Sequence, residues 1–116
     1  MEFDNNRPIY LQIVDVICDK ILSGELVAEE RIMSVREYGA SIGVNPNTVA
    51  RSYEKLTDTG VIYNKRGIGF FVSPDARDIV LKDARDRFLN EELPLIKNKI
   101  VLLGLDLAEI MKSILR

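Results

Sequence analysis

Histidine is absent from this chain of 116 residues, and cysteine occurs once, as Cys18. Without histidine the usual general base and the commonest metal ligand are missing. A single cysteine supplies neither an intrachain disulfide nor a thiolate metal site. Long hydrophobic runs are missing too. The longest, residues 100–103, is far short of the ~20 apolar residues that span a bilayer, and the chain opens on no leader-like segment. These absences lead to the expectation of a cytoplasmic protein without membrane contact, catalytic residues, metal or cofactor, and so not an enzyme. Carboxylates alone could still hold a cation, but no stretch has the ligand spacing of an EF-hand. Asp15 with Asp19, and Asp83 with Arg87, read as solvated helix faces.

What is present is an apolar fraction of 47%, enough to build a core within the length of one ordinary domain. The most informative stretch is residues 32–72, two short helices and a hairpin. Ser34-Val35-Arg36-Glu37 is a capping box, with Met33 and Tyr38 at the staple positions and Gly43 as the stop. A second helix opens at once on Asn45 as cap and Pro46 at the first helical position, and should close near Gly60. Two capped helices joined by a tight Gly turn form a helix-turn-helix. On the second, Val49, Tyr53 and Leu56 recur at i, i+4 and i+7 and face a core. Asn47, Arg51 and Lys55 lie away from that stripe, with Thr48 and Ser52 beside them. These side chains can hydrogen-bond to phosphates or base edges, or can simply form a solvated polar face. The following β-prone runs, Val61-Ile62-Tyr63 and Phe70-Phe71-Val72, are joined by Lys65-Arg66-Gly67-Ile68-Gly69. A cationic hairpin tip beside such a helix favours the nucleic-acid reading. Gly67 and Gly69 do not make a phosphate loop of the P-loop kind, since no Lys-Ser/Thr pair or helix start follows them.

The chain resembles GntR-type transcriptional regulators, and more narrowly their small YtrA-type branch. The resemblance runs from Pro8-Ile9-Tyr10-Leu11-Gln12-Ile13 through Ile21-Leu22-Ser23-Gly24-Glu25-Leu26 and Ser34-Val35-Arg36-Glu37. It continues in the run GVNPNTVARSY, residues 43–53, and the wing GIGFFV, residues 67–72. It implies a winged helix-turn-helix in which Ser34, Arg36, the start of the second helix and the wing contact DNA. The DNA-binding set expected is therefore Ser34, Arg36, Asn45, Asn47, Thr48, Arg51, Ser52, Lys55, Lys65, Arg66 and Gly67. The chain departs from the family pattern in five places. Ala28-Glu29-Glu30 stands where Pro-Gly is usual, Ile32-Met33 where Leu-Pro is, Gly39 where Ala is, and Phe70 where Thr is. Pro46 replaces an Arg that reads a base in many members, so that contact does not carry over.

A net charge of −2 is not the footprint of an indiscriminate nucleic-acid binder. Distribution matters more than the total. Between residues 34 and 66, Arg36, Arg51, Lys55, Lys65 and Arg66 outnumber Glu37, Glu54 and Asp58, while acids gather at both ends of the chain. A local basic patch on an acidic remainder suits specific binding. Cys18, one turn after Val14 and one before Leu22, reads as a packed thiol.

The expected fold class is mostly α with a small β-wing. Residues 1–73 would be the winged helix-turn-helix and residues 74–116 a two-helix dimerisation segment. The first of these helices runs through Pro94, which should kink it, to near Gly104; the second is capped by Asp106. Leu81, Ala84, Phe88, Ile96, Ile100, Leu103, Leu107, Ile110 and Ile114 would form the interface, with Phe88 and Ile100 taken to share one face. Packing against the chain's own winged helix is the alternative to dimerisation. The partners expected are a double-stranded DNA operator with an inverted repeat and a second copy of the chain; the sequence names no small-molecule effector. A winged-helix module that binds a protein instead of DNA is the alternative function.

Overall fold

Isoleucine recurs every fourth residue on the buried side of the first helix. In the computed structural model, which describes residues 1–115, α1 (Ile9–Leu22) buries Ile13, Ile17 and Ile21, the repeat of one helical face. The Pro8 carbonyl accepts the N–H groups of Leu11 and Gln12 at 3.1 and 3.2 Å. Gln12 ties down the residues ahead of the helix. Its Nε2 donates to the carbonyls of Asp4 and Arg7 at 2.6 and 2.7 Å, and its Oε1 accepts the Asp4 N–H at 2.8 Å. Cys18 is half-buried and packs against the core.

The capping box forms as read. Ser34 Oγ accepts the Glu37 N–H at 3.1 Å, and Glu37 accepts the Ser34 N–H at 3.2 Å, opening α2 (Val35–Ile42). Only one half of the expected staple is buried. Tyr38 is 8% exposed, whereas Met33 is 51% exposed and contributes its carbonyl, which accepts the Tyr53 hydroxyl at 2.6 Å. The Tyr38 hydroxyl is buried without a partner among the described residues, and burial pushes its pKa up. Gly43 ends α2 in the left-handed conformation, φ 69°. Asn45 then caps α3 (Pro46–Asp58), accepting the Asn47 N–H at 2.8 Å, with Pro46 in its first turn. Val49, Tyr53 and Leu56 are all buried.

The wing pairs β1 (Ile62–Lys65) antiparallel with β2 (Gly69–Val72), register Ile62 with Val72 and Lys65 with Gly69. Its tip is closed by the Ile68 N–H donating to the Lys65 carbonyl at 2.9 Å, around Gly67 at φ 80°. Residues 29–32 run along the other side of β2. Glu29 N–H donates to Val72 O at 2.8 Å, Val72 N–H to Glu30 O at 2.9 Å and Ile32 N–H to Phe70 O at 3.0 Å, with a bridge between Arg31 and Phe71. That edge of the hairpin is therefore covered rather than open to another chain.

Two compact units follow from the contacts, Met1–Leu81 and Lys82–Arg116. The first extends past residue 73, the boundary read from sequence, because Ala76 and Val80 of α4 (Ala76–Arg87) are buried in its core. Leu81, expected in the interface, is half-buried at the end of this unit. In the second unit the single kinked helix expected through Pro94 is replaced by three pieces. These are the end of α4, a π-helical turn over Phe88–Glu92, and α5 (Leu93–Leu102). The Leu93 N–H reaches back to the Phe88 carbonyl, the i→i+5 bond of a widened turn. Proline lacks an N–H, and its ring in an α-turn strikes the carbonyl four residues earlier. The wide turn just ahead of Pro94 makes room for that ring. After Gly104, at φ 63°, Asp106 caps α6 (Leu107–Ile114) by accepting the Ala108 N–H at 2.8 Å. No described residue of the second unit is buried.

Candidate nucleic-acid interface

The side of α3 opposite its buried stripe carries the chemistry. Asn47, Arg51 and Lys55 are exposed at four-residue intervals, and Thr48 beside them is half-buried. Ser52 does not join them. It is 0% exposed, and its hydroxyl donates to the Tyr10 carbonyl at 2.7 Å. A residue three after Val49 and four before Leu56 lies on the core stripe whatever its polarity, so Ser52 is a link between α1 and α3 and not a reader of nucleic acid. Asn45 is exposed, but its Oδ1 is engaged with the Asn47 N–H, which leaves its amide N–H groups as the outward donors.

At the start of α2, Ser34 is half-buried and Arg36 exposed. Ser34 Oγ is already an acceptor for Glu37, so the open donors of this first turn are the main-chain N–H groups ahead of Glu37. Hydrogen bonds from Ser34 hold the Glu37 carboxyl below its ordinary pKa, with a lesser contribution from the Arg31 charge. On the wing, Lys65, Arg66 and Gly67 are all exposed at the tip.

Three features of this face were not singled out from sequence. The Arg51 guanidinium lies over the Tyr10 ring, its carbon 4.0 Å from the centroid. The Lys65 ammonium lies 4.9 Å from the centre of the Phe71 ring, which stacks in turn on Tyr63 at 5.8 Å. Arg31 is an additional exposed cation against the wing: a Cβ at Gly69 would come within 3.0 Å of its Nε. Tyr10 sits in the Pro8–Gln12 motif, and nothing in its spacing to Arg51 signals contact across 40 intervening positions. Arg31 carried a weak signal, as a cation in the extended segment just before α2.

This arrangement presents amide, ammonium and guanidinium donors to an anion. Among the described residues no group of three or more His, Cys, Asp or Glu side chains could hold a metal ion. Among the described residues no helix is long and apolar enough to cross a membrane.

The comparisons with known proteins fall on the same region. The model of the bacterial regulatory proteins of the gntR family matches residues 9–72. The HTH-type transcriptional regulator YhcF of Bacillus subtilis is 32% identical over 97% of this chain and 92% of its own. The HTH-type transcriptional repressor YtrA of the same organism is 33% identical over 77% of this chain and 68% of its own. Among solved structures, a transcriptional regulator of the GntR family from Bacteroides thetaiotaomicron is 49% identical, with 90% of both chains covered and a TM-score of 0.74. The DNA-binding domain of AraR in complex with operator ORR3 is 25% identical, covering 63% of this chain and 88% of that one, with a TM-score of 0.57.

Proposed function

This chain belongs to the gntR family of bacterial regulatory proteins, within its YtrA-like branch, and from that premise we propose that it is a transcriptional repressor that binds operator DNA as a homodimer. The observation that carries the proposal is the exposed row Asn47, Arg51 and Lys55 on α3, beside a wing tipped by Lys65 and Arg66. The neighbour solved on its operator shares the fold over 63% of this chain. In this reading α3 enters the major groove, the first turn of α2 meets a phosphate through its main-chain N–H groups, and the wing touches adjacent backbone. A repressor role is supported by the name of the YtrA relative. Dimerisation is supported by the apolar side chains of the second unit, none of which is buried within one chain. A two-fold dimer reads an inverted repeat, one half-site per protomer.

The test is a gel-shift series on a duplex that the protein itself selects from a random-sequence pool. Arg51→Ala and Lys55→Ala weaken binding about uniformly across sequences and lower the log–log salt slope by roughly one each if they touch phosphate. Asn47→Ala relaxes preference at one or two base pairs, by ~1–3 kcal/mol for a base-edge contact. Wild-type binding by all three variants sinks this face as the reader. Absence of any salt-sensitive duplex binding by the parent protein favours the module that binds a protein partner.

A further inference from the structure

Two cations of the proposed interface rest on aromatic rings rather than on carboxylates. Among the described residues no acidic group lies within ion-pair distance of Arg51 or Lys65. Arg51 lies over Tyr10 at 4.0 Å, and Lys65 over Phe71 at 4.9 Å. The first of these pairs is built more firmly than a chance surface contact. Tyr10 stands in the first turn of α1, and its carbonyl takes the buried Ser52 hydroxyl at 2.7 Å. Ser52 is the residue after Arg51, so this side-chain to main-chain hydrogen bond holds the main chain that carries the ring close to the main chain that carries Arg51.

We infer that Tyr10 is a positioning residue for DNA recognition, a platform that holds Arg51 ready for the duplex without touching it. The chemistry favours such a support. A guanidinium carries all five of its N–H donors in its own plane, so a ring against its face leaves those donors free to reach an anion. A carboxylate partner would occupy the same donors. The ring also removes rotamers that a long side chain otherwise surrenders on binding, and that ordering is worth roughly three- to ten-fold in affinity per side chain. This inference rests on the proposal that α3 meets DNA.

The experiment is a double-mutant cycle on the full chain, with the duplex recovered from the random-sequence pool. Tyr10→Phe keeps the ring and binds as the parent does. Tyr10→Leu weakens binding three- to ten-fold when Arg51 is present and has no further effect in the Arg51→Ala background. The Arg51 side-chain protons are shifted upfield by the ring in the parent and in Tyr10→Phe, and return to ordinary positions in Tyr10→Leu. That NMR reading reports the contact even if Tyr10→Leu loses thermal stability. Equal weakening by Tyr10→Leu in both backgrounds would mean that Tyr10 only packs α1 against α3, and overturns the inference. Parent-like binding by Tyr10→Leu while Arg51→Ala is weakened overturns it too, yet leaves the interface standing. Parent-like binding by Arg51→Ala overturns the inference as well; the interface falls with it only if Asn47→Ala and Lys55→Ala also bind as the parent does.

Discussion

Glu29 holds a left-handed backbone, φ 71°, the only described residue other than glycine to do so. Such a conformation costs a residue with a Cβ about 1–3 kcal/mol, and it falls in the Ala28-Glu29-Glu30 stretch, where the resembling regulators usually have Pro-Gly. What keeps Glu29 in place is visible on both sides of it. Its N–H donates to Val72 at 2.8 Å, and its carboxylate accepts the Tyr63 hydroxyl at 2.6 Å. That hydrogen bond raises the Tyr63 pKa. A raised acid favours the folded protein while it stays protonated; the support is complete below about pH 10 and fades as pH climbs through the folded value. Glu29→Gly gives up the exposed Tyr63 bond but relieves the larger backbone strain, so stability and melting temperature should rise, by less than the roughly 1 kcal/mol of strain relieved. It should also bring the Tyr63 ionisation, followed by absorbance near 295 nm, back toward the ordinary tyrosine range. An unchanged Tyr63 titration would mean the bond is not made in solution.

Glu29 was visible in the sequence only as a departure from a pattern. Its backbone angle is imposed by pairing with β2, which no local propensity encodes. Ser52 was legible and misread. Val49, Ser52, Tyr53 and Leu56 form a complete i, i+3, i+4, i+7 stripe, and the polarity of serine hid its place in that stripe. Arg51 and Lys55 were placed correctly on the exposed side because they fall off the same period.

At the scale of elements, the turn between α2 and α3 is set by Gly39 as much as by Gly43. A Cβ on Gly39 would lie 2.7 Å from the Val44 carbonyl oxygen, and the Val44 N–H donates to Gly39 at 2.9 Å. From sequence alone Gly39 reads as a loss of ~1 kcal/mol of helix propensity. The structure shows the space it leaves is filled by main chain. Gly39→Ala should thus lower stability by about 1 kcal/mol in denaturant unfolding, since overpacking against backbone outweighs the gain in propensity. A more stable variant would show that the turn relaxes freely. The capped helices and the hairpin were legible because caps, Pro46 and the Gly turns are local signals. The strand-like path of residues 29–32 was not, since its partners lie some forty positions away.

For the whole molecule, the second unit is where packing within one chain runs out. Phe88, Leu93 and Ile96 are 44%, 41% and 45% exposed, and Ile100 and Ile110 are half-buried. Burying a Phe or Ile side chain contributes roughly 1.5–3 kcal/mol, counted twice across a two-fold axis. Replacing Phe88 and Ile100 together by Asp should give monomers in sedimentation whose winged helix stays folded. Their operator affinity should fall by about 10²–10⁴ as the linked second contact is lost. A persistent dimer with parent affinity would place the interface elsewhere. The sequence revealed the apolar positions of this unit and the Asp106 cap, but the change of helix type at Phe88–Glu92 has no signature beyond Pro94 itself.

That widened turn alters how positions are to be counted along the chain. Twelve residues of ordinary α-helix carry a side chain about 120° round the axis, so Phe88 and Ile100 would not share a face by count alone. A π turn absorbs one residue, and the remaining eleven amount to about 1100°, within roughly 20° of three full revolutions. The proline that interrupts the α-helix therefore brings the two apolar residues back into phase. The stripe is broken when read by residue number and continuous when read by rotation.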